Sequence, residues 1–536
     1  MPTLWIEQGD ARASFVFAGT PLLAEALALA GYAVEAPCGG RGTCRKCAVL
    51  ALGGAVAAPT AAEARAGTRL ACQARLLGDA TVRLHPARMW EGIETGTGDA
   101  EAEMLAEIPA SANGEGMSAD DRAAAAAQAR PCPPDTETGA AGIRRGAPMA
   151  GRYGAAVDLG TTTVAAKVYD LATGAALGAY ALVNPQTAVA ADVMGRITAA
   201  LGGEAQRLRA LAEAAVRGAV AGACRAAGIA GVDALCVAGN TVMLHLLTGR
   251  DPAPLAVAPF RAEHLFGEAA ELGGARMYLP RCAGAYMGAD LTCAALATGL
   301  IDQEETALLC DIGTNGELML WHRGALYAAS APAGPAFEGG EISQGVGGVR
   351  GAIDQVWAEG GGLGAHVIGG GEAAGVCGSG VIDAVAALLS LGLVDATGAA
   401  EAKAFTLKDG VRLTAGDVRA VQLAKAAVCA AAETLLAAAG AKAGDVRRVL
   451  LAGGFGSHVR VASAAAIGLL PPQLMTRTRA VGNAALAGAA MLLMDQGLWE
   501  KADRIAGMAR VLPLGGDEGF ERRFMGAMTF PVAEEE

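Results

Sequence analysis

Aromatic side chains are scarce: Phe, Tyr and Trp make up only 4% of the 536 residues, so the 53% hydrophobic content, much of it alanine, overstates the large apolar surface available for burial. Basic charge is also short, with 42 Lys and Arg against 54 Asp and Glu and a formal charge of −12. That balance disfavours nucleic acid or an anionic membrane as a partner, since either would require a basic face. No stretch of about 18 residues combines freedom from charge with enough large apolar side chains to span a bilayer. The richest candidate, Ala424 to Gly444, carries Lys425, Glu433 and Lys442. Glu7 and Asp10 precede any apolar run, which argues against a secretory signal, so the chain is expected to be cytoplasmic. A G-x4-G-K-[ST] phosphate loop is missing, which removes support for a Walker-type NTPase. The length implies about three or four domains at ~150 residues each.

Twelve cysteines in such a compartment do not form a disulfide framework. Eight are scattered among Ala, Val and Leu and read as small buried hydrophobes. The other four, Cys38, Cys44, Cys47 and Cys72, are spaced C-x5-C-x2-C-x24-C, with Gly39, Gly40 and Gly42 in the first loop. Four soft thiolates suit zinc or iron–sulfur, but zinc ribbons use two C-x2-C knuckles and only one is present here. The spacing resembles that of [2Fe–2S] ferredoxins, with one residue added to the plant-type pattern. The flanks agree: a strand pair at Thr3 to Glu7 and Ala13 to Ala18, a helix Leu22 to Ala30 capped from Thr20 and Pro21, and a strand Ala80 to Leu84. A ferredoxin-like β-grasp domain is expected over residues 1–86.

Residues 87–150 have a different texture. Glu91 to Ala150 holds eleven acidic residues against four arginines, with too few large apolar side chains for a core. An acidic linker or reduced middle region is expected, with one helix near Asp120 to Ala129. A flexible chain of that length has a reach of about 40–45 Å, enough for the cluster domain to shuttle between an electron donor and an acceptor.

Beyond residue 150 a strand–turn–strand pattern occurs twice. Asp158-Leu-Gly160-Thr161-Thr162-Thr163 is followed 153 residues later by Asp311-Ile-Gly313-Thr314-Asn315-Gly316. Each places a carboxylate at a strand end before a glycine turn whose backbone N–H groups can grip phosphate, with the Asp placed to hold Mg²⁺. Two such turns suggest two similar lobes facing one nucleotide. A later strand runs into Gly453-Gly454-Phe455-Gly456, where a purine ring could approach the backbone closely, and Asp233 to Thr241 echoes it in the first half.

Hairpins and glycine pair, in that order, resemble the actin/sugar-kinase/heat-shock-70 ATPase superfamily. The α/β multidomain arrangement, a [2Fe–2S] domain ahead of a duplicated two-lobed actin-like ATPase over 151–536 with lobes near 151–303 and 304–500, is similar over almost the whole chain to the reductive activators of corrinoid proteins. Asn184-Pro-Gln186, Asp192, Gly239-Asn240-Thr241, Ala333 to Gly339, Gly375 to Gly380 and Gly482-Asn483-Ala484 fit that family. The resemblance implies an ATP-hydrolysing activase that passes one electron from the cluster to an inactivated Co(II) corrinoid, regenerating Co(I) for methyl transfer. It also implies Mg²⁺, a cobalamin-bearing methyl-carrier protein as partner, a low-potential electron donor such as a ferredoxin, and leaves a homodimer open. Cys38, Cys44, Cys47 and Cys72 would hold the cluster. Gly160 to Thr163, Gly313 to Gly316 and Gly453 to Gly456 would hold ATP, with Asp158, Asp311 and Glu338 doing the chemistry.

Two other readings share the fold. A small-molecule kinase would need no electron carrier, and an activator of a dehydratase or benzoyl-CoA-type reductase would hold a [4Fe–4S] cluster, for which Cys377 is the tempting ligand. A redox sensor without enzymatic activity is a third. Among single residues, Glu338 and Asp192 read equally well as helix-capping carboxylates, and His245 as a core histidine.

Overall fold

The computed structural model describes residues 1–8, 11–17, 19–30, 47–58, 63, 68–84, 147–348, 350–453 and 459–531. Cys38 and Cys44, residues 87–146 of the expected linker with its helix, and Gly454, Phe455 and Gly456 lie outside them, whereas Met149, at the end of that expected linker, is buried in a core cluster and donates its N–H to the Leu493 carbonyl.

The N-terminal unit is a five-stranded sheet in the order Ala11–Val16, Thr3–Gln8, Leu76–Arg83, Ala48–Val56, Thr68–Leu70. The first hairpin pairs Thr3 with Val16 through Gln8 with Ala11, and Thr3–Gln8 runs parallel to Leu76–Arg83. Helix Leu23–Leu29 lays Leu23 and Leu27 on the sheet, where Leu4, Ile6, Leu76 and Val82 are fully buried. This is the β-grasp arrangement. The helix entry differs from expectation: the Leu22 N–H donates to Glu25 Oε2 at 2.8 Å, so a carboxylate three residues ahead satisfies it.

The duplication read in the sequence is a duplication of topology. In one six-stranded sheet, Tyr153–Leu159, Thr163–Asp170 and Ala176–Val183 form an antiparallel meander, with Ala234–Gly239 parallel to the first strand and Ala275–Leu279 beyond it. In the other, Ala307–Ile312, Gly316–His322 and Ala325–Ala331 form the same meander, with Arg448–Ala452 and then Thr478–Gly482 in the equivalent places. The sheets differ only in their sixth strands, Glu268–Leu272 and Ala509–Val511. The chain is thus an α/β multidomain protein with an actin-like pair of lobes.

The alanine-rich composition has a packing consequence. Helices Ala289–Ala297 and Ala484–Met494 pack on one another in a core shared by both sheets. They approach so closely that a Cβ on Gly488 would lie 2.0 Å from the Cys293 carbonyl oxygen. Small side chains let helix backbones approach, and dispersion contacts between them replace the missing aromatic bulk. Helix Ala415–Ala439 meets the length and composition of a membrane-crossing helix. It is, however, the central helix of the second lobe, with Val421, Ala424, Val428 and Leu435 fully buried. Its start is fixed by a capping box in which Thr414 Oγ1 accepts from the Asp417 N–H and Asp417 Oδ2 from the Thr414 N–H.

Candidate functional site

Both Asp-x-Gly-Thr turns point into one cavity of about 240 Å³ between the lobes. They face each other closely, with Thr162 Oγ1 3.3 Å from Thr314 Oγ1. Glu338, from the short turn Pro335–Glu338, bridges them: its Oε2 accepts from Thr162 Oγ1 at 2.9 Å and from Thr314 Oγ1 at 2.5 Å. The sequence left Glu338 balanced between a cap and a site residue. The structure puts it at the junction of the two Asp-x-Gly-Thr turns.

The glycines are required by close approach. A Cβ on Gly160 would fall 2.5 Å from the Thr163 carbonyl oxygen, and one on Gly313 3.2 Å from Glu338 Oε1. Gly453, at φ +114°, would carry a Cβ 2.3 Å from the Ile312 carbonyl oxygen. Gly239 stands in the same relation to Leu159, at 2.8 Å. Each lobe therefore ends its parallel strand with a glycine pressed on the residue after the hairpin Asp, which is the physical content of the repeat between Asp233–Thr241 and Val446–Gly453.

Two asparagines join the site from non-equivalent strands of the two lobes, and the sequence had given them no role. Asn240 and Asn483 cap helices Thr241–Thr248 and Ala484–Met494 with their side-chain oxygens. Their free amide nitrogens reach across the cleft: Asn483 Nδ2 donates to Asp158 Oδ2 at 2.9 Å, and Asn240 Nδ2 to Glu317 Oε1 at 3.1 Å. Glu317, Asp290 and Asp354 also line the cavity with Asp158, Asp311 and Glu338; Asp354 is turned to His366 at 2.6 Å, and the other five press on one another. Glu317 was visible beside the second turn but unassigned. Asp290, in the first turn of helix Ala289–Ala297, carried no local signal.

Crowding five acids in a protein-lined space resists ionisation. Burial, opposed by the Asn483 amide and reinforced by Glu338, raises Asp158 to about 6. Burial and then Asp158 raise Asp290 to about 7. Asp311 is pushed up to about 8 by burial, then by Asp290, Asp158 and Glu338. Burial lifts Glu317 well above the carboxylate range and raises Glu338 against the pull of its two threonine hydroxyls. Such a pocket is an electrostatic demand for a cation. Among the described residues, no three acids converge as a complete metal cage. An all-oxygen donor set of this kind suits an ion whose remaining ligands are phosphate and water.

Behind the first turn lies a fully buried arginine that the sequence reading missed. Arg196 Nη2 donates to the Thr161 carbonyl at 2.6 Å, Nη1 to Gln186 Oε1 at 3.2 Å and Nε to the Ala190 carbonyl at 3.1 Å. Asp192 is a helix cap, accepting from the Gly195 N–H at 2.8 Å. His245 is a core histidine, its Nδ1 2.8 Å from the Thr241 carbonyl oxygen and its ring edge-on to Phe266. Cys377 borders the cavity beside Ser379. Burial raises its thiol pKa, the opposite of what a cluster ligand requires.

In the N-terminal unit, Cys47 and Cys72 are buried, with their sulfurs 3.2 Å apart. That is too far for a disulfide. Their convergence fits two ligands of one soft-metal centre.

Comparison with known proteins agrees with this arrangement. Residues 7–77 match a model described as a 2Fe-2S iron-sulfur cluster binding domain, 153–303 one described as the RACo middle region, and 305–536 one described as the C-terminal domain of RACo, the ASKHA domain. These matches support a [2Fe–2S] cluster and ATP binding. The chain is 33% identical over 387 residues to the corrinoid activation enzyme RamQ of Eubacterium limosum, covering 64% of each protein. It is 29% identical over 315 residues to the [Co(II) methylated amine-specific corrinoid protein] reductase of Methanosarcina barkeri, covering 51% of this chain and 58% of that one. The chain thus spans less than two thirds of the length of either curated relative. A solved structure, a reductive activator for corrinoid, iron-sulfur protein, superposes with TM-score 0.67 at 26% identity, covering 99% of this chain and 98% of the other.

Proposed function

Because the chain belongs to the RACo family of reductive activators, we propose that it spends ATP to drive one electron onto the Co(II) of a corrinoid-bearing methyl-carrier protein, restoring Co(I). The observation that carries this reading is the Glu338 bridge between the two phosphate turns. A phosphate entering between the turns competes for the hydroxyls of Thr162 and Thr314, so nucleotide occupancy and the spacing of the lobes become one variable. A two-state element of that kind can do work on a partner that prefers one of its states.

The division of labour follows the geometry. Backbone N–H groups of Gly160 to Thr163 and of Gly313 to Gly316 hold phosphate oxygens, with Thr161, Thr162, Thr314 and Asn315 orienting them. Asp158, steadied by Asn483, and Asp311 hold the attacking water and the ion, with Glu338 placed between the lobes to align them. Mg²⁺ fits the acidic pocket and, when bound, would neutralise charge on the transferring phosphoryl group. Gly453, which lines the cavity, borders the nucleotide. Cys47 and Cys72, with Cys38 and Cys44, hold the [2Fe–2S] centre, which when bound supplies a one-electron carrier near −400 mV if plant-type. Co(II) of this kind is harder to reduce, and each ~59 mV of deficit costs a factor of ten; closure of the lobes on nucleotide supplies it. The electron enters from a low-potential donor such as a ferredoxin.

The test follows the phosphate and the electron together. Purified protein incubated with γ-labelled ATP, reduced donor and a Co(II) corrinoid protein should release label as inorganic phosphate only, at a rate that rises when the corrinoid protein is added. Label appearing on a metabolite, with no response to the corrinoid protein, would establish the kinase reading instead.

A further inference from the structure

The N-terminal unit is seated on the first lobe. Ala188, from the turn Pro185–Ala188, is buried among Leu23, Ala26 and Leu27 in the core of the N-terminal unit. Glu25 of that unit forms an ion pair with Arg207 at the start of the long helix Ala205–Ala227, and Arg207 also pairs with Glu204 at 2.6 Å. Cys72 lines a cavity at this junction together with Ala188, Val189 and Arg207. A cluster ligand therefore sits at the seam.

The same turn is bonded to the first phosphate loop. Asn184, its N-cap, donates from Nδ2 to the Gly160 carbonyl at 2.8 Å and from its backbone N–H to the Thr162 carbonyl at 2.8 Å. Arg196 ties the Thr161 carbonyl to Gln186 and Ala190 on the far side of the turn. Thus three consecutive carbonyls of this loop are held, two by Asn184 and one by Arg196, which is itself bonded to Gln186 and Ala190 of the segment that enters the N-terminal unit's core.

We propose that Asn184–Ala190 is a relay through which nucleotide at the Gly160–Thr163 turn controls docking of the chain's own cluster unit: docked without nucleotide, released when phosphate displaces Glu338 from Thr162. Release frees the Cys72 face for a protein partner. The inference rests on nucleotide binding between the lobes but not on a corrinoid substrate.

Linkage makes it testable, because a coupling of this kind is reciprocal. Arg207→Glu, far from the Gly160–Thr163 turn, brings a third carboxylate against Glu25 and Glu204 and undocks the unit, whereas Arg207→Lys keeps the pair. Hydrogen exchange of the full chain should show faster exchange at Leu22–Leu27 in Arg207→Glu without nucleotide, and in wild type on adding a non-hydrolysable ATP analogue. Arg207→Glu should also bind the analogue about 5-fold or more tighter than wild type, with Arg207→Lys near wild type. In an Asn184→Ser background, which keeps a capping oxygen but loses the bond to Gly160, that affinity ratio should fall to about one. Faster exchange in Arg207→Glu with unchanged analogue affinity, or no change in exchange in either case, would overturn the relay. Failure of wild type to bind the analogue at all would overturn the nucleotide site itself.

Discussion

Replacing Asp311 by Asn should make the metal- and nucleotide-free protein more stable at alkaline pH while abolishing ATP hydrolysis. The Asp311 carboxyl titrates at about 8 in the fold against 3.8 unperturbed, because burial and the neighbouring Asp290, Asp158 and Glu338 oppose its charge. A carboxyl whose folded pKa is raised contributes stability that is fully present below pH ~4 and is lost as pH rises through about 8. Four units at ~1.4 kcal/mol each set a ceiling of ~6 kcal/mol. Asp290 and Asp158 relieve part of the repulsion by taking up protons, so about 2–3 kcal/mol should remain at pH 8.5. At pH 5.5 the folded acid is still neutral but the unfolded one, with its ordinary pKa of 3.8, is already ionised, so the ceiling there is about 2 kcal/mol and the variant's advantage should be clearly smaller than at pH 8.5. The assay is urea unfolding with chelator at the two pH values, followed by far-UV circular dichroism. Added Mg²⁺ with ATP should reverse the order, stabilising wild type more than the variant. If Asp311→Asn is destabilised equally at both pH values, the acid is structural and the cation-demanding pocket is refuted.

Glu338→Gln should lower ATP turnover by about 10²-fold or more, the range for a positioned proton-transfer or water-orienting group, without changing the visible spectrum of the cluster; phosphate release at the wild-type rate would remove Glu338 from the mechanism. Gly453→Ala should cost roughly 1–3 kcal/mol and weaken nucleotide binding, since its φ of +114° and the Ile312 carbonyl 2.3 Å from the new Cβ leave no relaxed solution; calorimetric ATP affinity checks it. Shortening residues 87–150 to about ten residues should leave hydrolysis and cluster assembly intact but slow Co(II) loss in stopped-flow spectra, and full activity would fix the cluster unit in one place.

The two hairpins were legible because their chemistry is local. A buried strand, an Asp, a glycine turn and hydroxyl residues declare a strand–turn–strand hairpin within ten residues, and the repeat declares the second lobe. The β-grasp unit was legible for the same reason, from alternating strands and a thiol loop of marked spacing. What escaped is non-local. Asn240 and Asn483 each do two jobs, and only the capping half leaves a trace in neighbouring residues; the carboxylate each serves lies 77 and 325 positions away. Arg196 reads as an ordinary helical arginine until the fold closes Gln186, Ala190 and Thr161 around it. Asp192 and Glu338 are both acids beside short helical turns, and only tertiary packing makes one a cap and the other the bridge between lobes.

The central claim is that ATP drives an electron onto cobalt, and the most direct measurement is the anaerobic visible spectrum of a Co(II) corrinoid protein mixed with this chain and a low-potential reductant. Co(I) absorbance should appear only when ATP is present, be lost in both Cys47→Ser and Asp158→Ala, and not appear in the wild type when ADP replaces ATP. Co(I) formed at the same rate and extent without ATP would contradict it.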